Sequence, residues 1–324
     1  MTTFPDPAIL PPPAEQDAAV PLRVIGMPGA FADWGLSWVC QILQHAGRQP
    51  QVVPLAEAAP GWRVGFGHVP DAAPADGRSI VFLDTPAAVV GALLMGRTEP
   101  IEVVRDLTAT LAPLAAVLRM PGALLVRRAP PFDLAAARQA IARHLLPALP
   151  PPDAAMPCEA GFDPAAPEPQ LSGQALALTR QVLAPMLTLA TGGEREPIVW
   201  PLSCFYSGDQ PGEQASPIMD TAGPARILYY GPYFHLPPGR WRVEIQMFFS
   251  NDVPASMLAA EILGSAKLAR IEFRPAHGGL FQADMPLFIE RPEERIEFRI
   301  WLLSGTISGQ FGLRQVLLTP LAGP

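Results

Sequence analysis

From Arg240 to Phe249 the chain reads RWRVEIQMFF, in which Trp241, Val243, Ile245, Met247 and Phe249 alternate with Arg242, Glu244 and Gln246. A period of two puts one set of side chains on each face of an extended strand, so the segment fits a sheet with one buried face. ARIEF, LFQADMPLFIE and RIEFRIWLL repeat the theme, with LPPGR and AHGG as turns between the runs. Residues 197–324 are therefore expected to form an antiparallel β-sandwich of jelly-roll type.

The first half is patterned differently. Leu22 to Met27 is a short apolar run followed by a Gly/Pro turn, then Trp34, Trp38, Ile42 and Leu43 recur at helical spacing. Arg78 to Asp84 (RSIVFLD) reads as a buried strand, after which Thr85 offers an N-cap oxygen and Pro86 suits the first helical position. Gly122 to Arg128 is a further strand, and Asp133 can cap a helix that runs through Leu146. Strands alternating with helices predict an α/β domain over 21–149 with a mainly parallel sheet. The fold class expected is thus α/β plus all-β. Residues 1–20 read as a disordered Pro-rich tail, with Pro11, Pro12 and Pro13 in succession. Residues 150–196 read as a Pro-rich linker and a helix, LSGQALALTRQVLAPMLTLA, stopped by Gly192 and Gly193.

Composition narrows the function classes. A length of 324 residues with 49% hydrophobic and 16% charged residues suits two packed domains. The formal charge is -7 and Lys267 is the only lysine, so there is neither a basic face for nucleic acid nor a lysine clamp for phosphate in the first half. No run is long and apolar enough to span a bilayer, and the opening MTTFPDPAILPPPAEQ is unlike an export signal, so the cytoplasm is the expected location. Cys40, Cys158 and Cys204 lack metal-ligand spacing and read as core residues. His45, His68, His144, His235 and His277 fall in no metal motif, so no metal site is expected. There is no GxSxG elbow, and Glu293 and Glu294 sit in a turn-like ERPEER run that reads as a solvated edge.

VIGMPGAFADWGLSWVCQIL, from Val24 to Leu43, resembles the first phosphate-binding element of sulfotransferases that use 3′-phosphoadenosine 5′-phosphosulfate. Gly29 lies in the loop, and Gly35, Ser37 and Trp38 match the family's Gly, second Thr and Trp; the basic loop residue is absent and Trp34 replaces a Ser. FLDTPAAVVGALLMGR is similar to the family's Arg-x-Pro segment, with Pro86 retained, Asp84 in place of the Arg and Ala92 in place of the Ser. The resemblance extends from about Leu22 to Leu149 and implies a donor site in degenerate form. A carboxylate repels the dianionic phosphate that the Arg would hold by charge-assisted bonds worth about 1.5–3 kcal/mol. The expectation is no cofactor, or that sulfate donor if Arg97 or Arg127 take over the missing role.

MDTAGPARILYYGPYFHLPPGRWRVEI, from Met219 to Ile245, resembles the opening of jelly-roll modules appended to bacterial polysaccharide-related enzymes. Tyr229, Tyr230, Tyr233, Trp241 and Trp301 offer flat apolar faces, although Trp241 falls on the core face by parity. Arg226, Asp220, His235 and Arg299 are the polar candidates, the combination that sugar recognition requires. The reading is a non-catalytic, sulfotransferase-like accessory protein that binds a carbohydrate or protein partner in surface-polysaccharide handling. The alternatives are a divergent active carbohydrate sulfotransferase and a structural role with the sandwich as a homodimer or docking face.

Overall fold

Leu22–Gly26 (β1) is buried on both faces, as the central strand of a parallel sheet requires. The computed structural model describes residues 20–70, 77–96, 99–147, 162–252 and 257–321. Residues 1–19, Arg97, Cys158 and the first part of the expected linker lie outside these. Gln51–Pro54 (β2), Arg63–Gly67 (β3), Arg78–Leu83 (β4) and Ala123–Arg127 (β5) join β1 in the order β2-β3-β1-β4-β5, every pair parallel.

Alternate residues of β4 face opposite helix layers. Ile80 and Phe82 pack with Ala30–His45 (α1) and Leu134–Leu145 (α4), while Val81 and Leu83 pack with Pro86–Leu94 (α2) and Pro100–Leu118 (α3). The caps form as the sequence predicts. Thr85 Oγ1 accepts the Ala88 N–H at 3.3 Å, and Asp133 Oδ1 accepts the Ala136 N–H at 2.9 Å. The strands β2 and β3 and the helix α3 were not anticipated from the alternation of strands and helices.

The second half is a two-sheet antiparallel sandwich. One sheet pairs Gly279–Ile289 (β13), Gly239–Phe249 (β10), Gln310–Pro320 (β15) and Ile198–Pro201 (β6) in that order, with Met219–Asp220 (β8) also on β15. The other runs Lys267–Phe273 (β12), Leu258–Leu263 (β11), Ile296–Leu302 (β14), Arg226–Phe234 (β9) and Tyr206–Ser207 (β7). Trp241, Val243, Ile245, Met247 and Phe249 all face the interior, as their alternation predicts.

The helix expected after the linker forms as Gly173–Leu178 (α5), one π-type turn over Thr179–Leu183, and Ala184–Ala190 (α6). It is a packed layer and no spacer. Its Leu178, Val182, Leu183 and Met186 share one continuous apolar core with Leu107 and Leu111 of α3, Val81 of the parallel sheet, and Trp200 and Phe234 of the sandwich. Helix α3 therefore has two buried sides, one against the parallel sheet and one against the sandwich.

Candidate functional site

An open parallel sheet takes ligands outside the carboxyl ends of its strands, where chain connections diverge to either side. Here that place lies between β1 and β4, because β1 leads through α1 toward β2 while β4 leads through α2 and α3 toward β5. Gly29 and Asp84 stand at this edge, and aromatic rings fill the part of the crevice beside α1. Phe31, Trp34, Phe82, Phe132 and Phe162 form one cluster of rings with centroids 5.1–6.3 Å apart. Phe162 comes from the segment before α5, which crosses this edge.

Arg128, just beyond β5, holds that segment in place. Its Nη1 donates to both oxygens of Asp84 at 3.2 and 3.3 Å, its Nη2 donates to the Ala166 carbonyl at 2.9 Å, and its guanidinium lies 5.4 Å from the Phe162 ring centre. Further along, a Cβ at Gly91 would stand 2.3 Å from Pro169 Cγ, so only glycine lets the segment lie flush on α2. Asp84 is almost buried; burial pushes its carboxyl upward against the opposing pull of the Thr85 N–H and Arg128. A cleft of about 440 Å³ remains beside the segment, lined by Thr85, Arg128, the 130–132 turn and residues 164–168.

The other residues expected at a donor site lie on α1, at its start and at the end of β5. Gly29 begins α1 at φ 137° with no side-chain cap, and Asp33 supplies an exposed negative charge in the first helical turn. A Cβ on Gly35 would meet the Phe82 ring at 2.4 Å, so this glycine sets the approach of α1 to β4. Ser37 is half-buried on α1, and Arg127 is exposed at the end of β5.

The outer face of the second sandwich sheet is of another kind. Tyr206, Tyr230, Arg299, Glu261 and Arg270 stand opposite one another on β7, β9, β14, β11 and β12, forming a single cross-strand row. At the usual strand spacing this row is about 19 Å long. Tyr206 and Tyr230 stack with centroids 5.5 Å apart and planes at 29°, and the Gly212 N–H donates to Tyr230 Oη at 2.8 Å. On β14, Arg299 is flanked by Glu297, to which it donates at 2.7 and 2.9 Å, and by Trp301.

Glu261 organises the charged end of the row. It accepts from Lys267 Nζ at 3.0 Å, Arg270 Nη1 at 2.5 Å and Trp301 Nε1 at 2.8 Å, with only 6% of its side chain exposed. Burial alone would raise its carboxyl, but the hydrogen bonds from Lys267, Arg270 and Trp301 together hold it below the ordinary glutamate range. The only lysine of the chain is spent here.

A bulge brings a third tyrosine to the same face. Pro232 pairs with Glu297 and Phe234 with Ile296, so Tyr233 is an extra residue on β9. It adopts φ 66°, a left-handed conformation that costs a bulky residue on the order of 1–3 kcal/mol. The bulge resets the alternation. Phe234 still enters the core while Tyr233 turns outward and donates to Glu297 Oε1 at 2.9 Å. Burial, then this bond, raises the Tyr233 phenol, so it acts as a donor.

Helix α3 borders this face. Arg105 Nε donates to the Pro232 carbonyl at 2.7 Å and Nη2 to Tyr206 Oη at 3.0 Å, and its guanidinium lies 5.4 Å from the Tyr206 ring centre and 5.2 Å from that of Tyr233. Nearby, the buried His235 N–H donates to Thr108 Oγ1 at 3.1 Å, and its ring Nδ1 lies 3.1 Å from the Pro292 carbonyl. Burial, the largest cause, lowers His235; the Pro292 carbonyl opposes it, Arg295 lowers it further, and Asp106 and Glu293 oppose it more weakly. The unfolded imidazole then binds a proton near pH ~6.5 while the folded one resists it, so this contribution is present above that pH and is lost as pH falls through the lowered value. The urea midpoint is expected to drop between about pH 7.5 and about pH 5, and less steeply in His235→Gln. His144, also lowered by burial, adds to the slope in the same direction.

The six residues read as ligand-binding from the sequence thus separate. Tyr230, Tyr233 and Arg299 share the outer face. Arg226 lies at the start of β9, four residues or about 13 Å by strand rise from Tyr230 and farther from Tyr233, with Asp220 beside it on β8. There Arg226 grips Asp209 at 2.6 Å and the Asp220 carbonyl at 2.7 Å, and Asp220 Oδ1 caps a turn by accepting the Ala222 N–H at 2.8 Å. His235 is in the seam with α3, while Tyr229 and Trp241 are core. The sequence reading missed Tyr206, Glu261 and Arg105. Glu261 had a signal, a lone carboxylate inside the apolar run LAAEIL, whereas Arg105, between Glu102 and Asp106 in IEVVRDLT, reads as an ordinary solvated charge.

No family model matches the chain, and no curated protein matches it significantly. Among solved structures it is similar to TmCBM61 in complex with β-1,4-galactotriose, at 12% identity and TM-score 0.27 over 37% of this chain and 91% of that one. A second is the CBM36-1 domain of a multidomain xylanase from the hindgut metagenome of Trinervitermes trinervoides, at 8% identity and TM-score 0.27 over 40% of this chain and 100% of that one. A third is the C-terminal CBM6 of LamC, a marine laminarinase from Zobellia galactanivorans, at 10% identity and TM-score 0.27 over 38% and 99%. At these scores the likeness carries no argument about what this chain binds.

Proposed function

We propose that the chain is a non-catalytic carbohydrate-binding accessory protein whose ligand lies on the Tyr206–Tyr230–Arg299–Glu261 row. The observation that carries this reading is the row itself: aromatic rings stand beside hydrogen-bonding groups fixed by Glu261 and Glu297, on one face of one sheet. A sugar ring offers C–H surface to an aromatic face and hydroxyls to fixed donors and acceptors, so it needs both kinds of group within one ring's reach. The α/β layer serves in this reading as a scaffold resembling sulfotransferases. Two features support its lack of donor binding, the Asp84–Arg128 pair and the aromatic filling of the crevice beside α1.

Glycan-array binding by the full chain is the test. Tyr230→Ala and Arg299→Ala are each expected to weaken retained binding about tenfold or more, ~1.4 kcal/mol, with unchanged circular dichroism. Calorimetric titration with 3′-phosphoadenosine 5′-phosphate is expected to give no heat of binding. Micromolar affinity for that nucleotide, or an array without hits, overturns the proposal.

A further inference from the structure

Where α3, α5 and the sandwich meet, a cleft of about 200 Å³ is lined by Glu99, Ile101, Gln174, Ser203, Phe205, Tyr206, Gly212 and Gln214. One of these residues belongs to the sugar row as well, and a second bonds to it. Tyr206 stacks on Tyr230, and Gly212 donates its N–H to the Tyr230 hydroxyl. The cleft therefore opens beside the row and continues it toward the first half of the chain.

Its lining has a definite chemistry. Glu99 presents acceptors, Gln174 and Gln214 present amides, and Ser203 and Tyr206 present hydroxyls, over an apolar floor of Ile101 and Phe205. Gln174 is held by its bond to the Ser203 carbonyl at 2.8 Å, and Tyr206 by Arg105 at 3.0 Å. Glu99 is exposed and forms no ion pair with a described residue, so its charge repels an anionic substituent. The volume is below the roughly 300–1,000 Å³ of pockets that enclose a whole small ligand, so the cleft suits one ring of a longer molecule.

Resting on the proposed sugar row, we infer that this seam cleft is a second subsite for a neutral, hydroxyl-bearing ring. The ligand is then an oligosaccharide of at least two rings, one on Tyr230 and the next between the two halves of the chain. The first half thereby contributes directly to recognition through Glu99, and the helix that follows the linker through Gln174.

The experiment uses the full chain and an array of neutral gluco-, galacto-, manno- and xylo-oligosaccharides from monosaccharide to hexasaccharide, with uronate-containing and sulfated counterparts. Calorimetry on the best neutral series follows. In the wild type the disaccharide is expected to bind about tenfold more tightly than the monosaccharide. In Glu99→Ala/Gln214→Ala, whose altered side chains are both exposed, that gain is expected to vanish while monosaccharide affinity and the melting temperature stay unchanged. Tyr230→Ala is expected to weaken both sugars. An undiminished gain in the double variant overturns the subsite and leaves the row standing, as does preference for the anionic series. A wild-type chain that binds no sugar overturns both.

Discussion

Arg105→Ala is expected to lower the unfolding free energy by about 3 kcal/mol, measured by urea denaturation. The side chain is 11% exposed and makes two directional bonds into the sandwich, to the Pro232 carbonyl and the Tyr206 hydroxyl. Removing a charged donor strands the buried Pro232 carbonyl, at about 1–3 kcal/mol for a group left unsatisfied, and releases the Tyr206 hydroxyl into the cleft it lines. Its pair with Glu102 contributes little, because Glu102 is largely solvated. Two aromatic faces add to the loss. Arg105→Lys is expected to recover only a minority of it, since an ammonium cannot lie flat between two rings while reaching both oxygens. Because one apolar core runs through α3 into both halves, the loss should appear as a shifted single transition.

Glu261→Ala is expected to cost about 2–3 kcal/mol and to disorganise the row it anchors. Trp301 Nε1, Arg270 and Lys267 all lose their shared acceptor. The cost stays below that of a fully buried pair because Lys267 is 53% and Arg270 29% exposed, and Arg270 retains Glu272 at 2.8 Å. Lys267→Ala alone should cost under about 1 kcal/mol. The pH signature has a definite sign. The folded carboxyl is depressed, so its stabilisation is present above the unfolded value near ~4.5 and is lost as pH falls through the folded one. The wild type should therefore lose stability on acidification below about pH 4.5, and Glu261→Gln should show a shallower loss in that window. Glycan binding by Glu261→Gln should also fall, since an amide cannot hold two cations and an indole in register.

Several features could be read from residues alone. The alternation in RWRVEIQMFF assigned Trp241 to the core face, and Thr85-Pro86 and Asp133 marked two helix starts that form as expected. Asp84 was likewise legible as an acid at the edge of the parallel sheet. Its partner was not, because Arg128 lies one strand away in space and 44 residues away in sequence. The grouping of Arg226 and Asp220 with Tyr233 failed for a geometric reason. Neighbours along a strand separate by over 3 Å per residue, whereas neighbours across strands are about 4.8 Å apart whatever their sequence distance.

Local periodicity determined that the second half consists of strands with one wet face, that α1, α2 and α4 flank a parallel sheet, and which side chains of β10 are core. These are properties of a chain's own geometry, repeating every two or 3.6 residues. The tertiary structure alone decided that Tyr233 faces outward beside Tyr230, that five strands align Tyr206, Tyr230, Arg299, Glu261 and Arg270, and that Phe162 joins the rings filling the crevice beside α1 at the edge of the parallel sheet. It also decided that Arg105 joins the two halves. Each of these depends on register and docking between segments distant in sequence, which are fixed by the packing of the whole core and leave no periodic mark on the residues concerned.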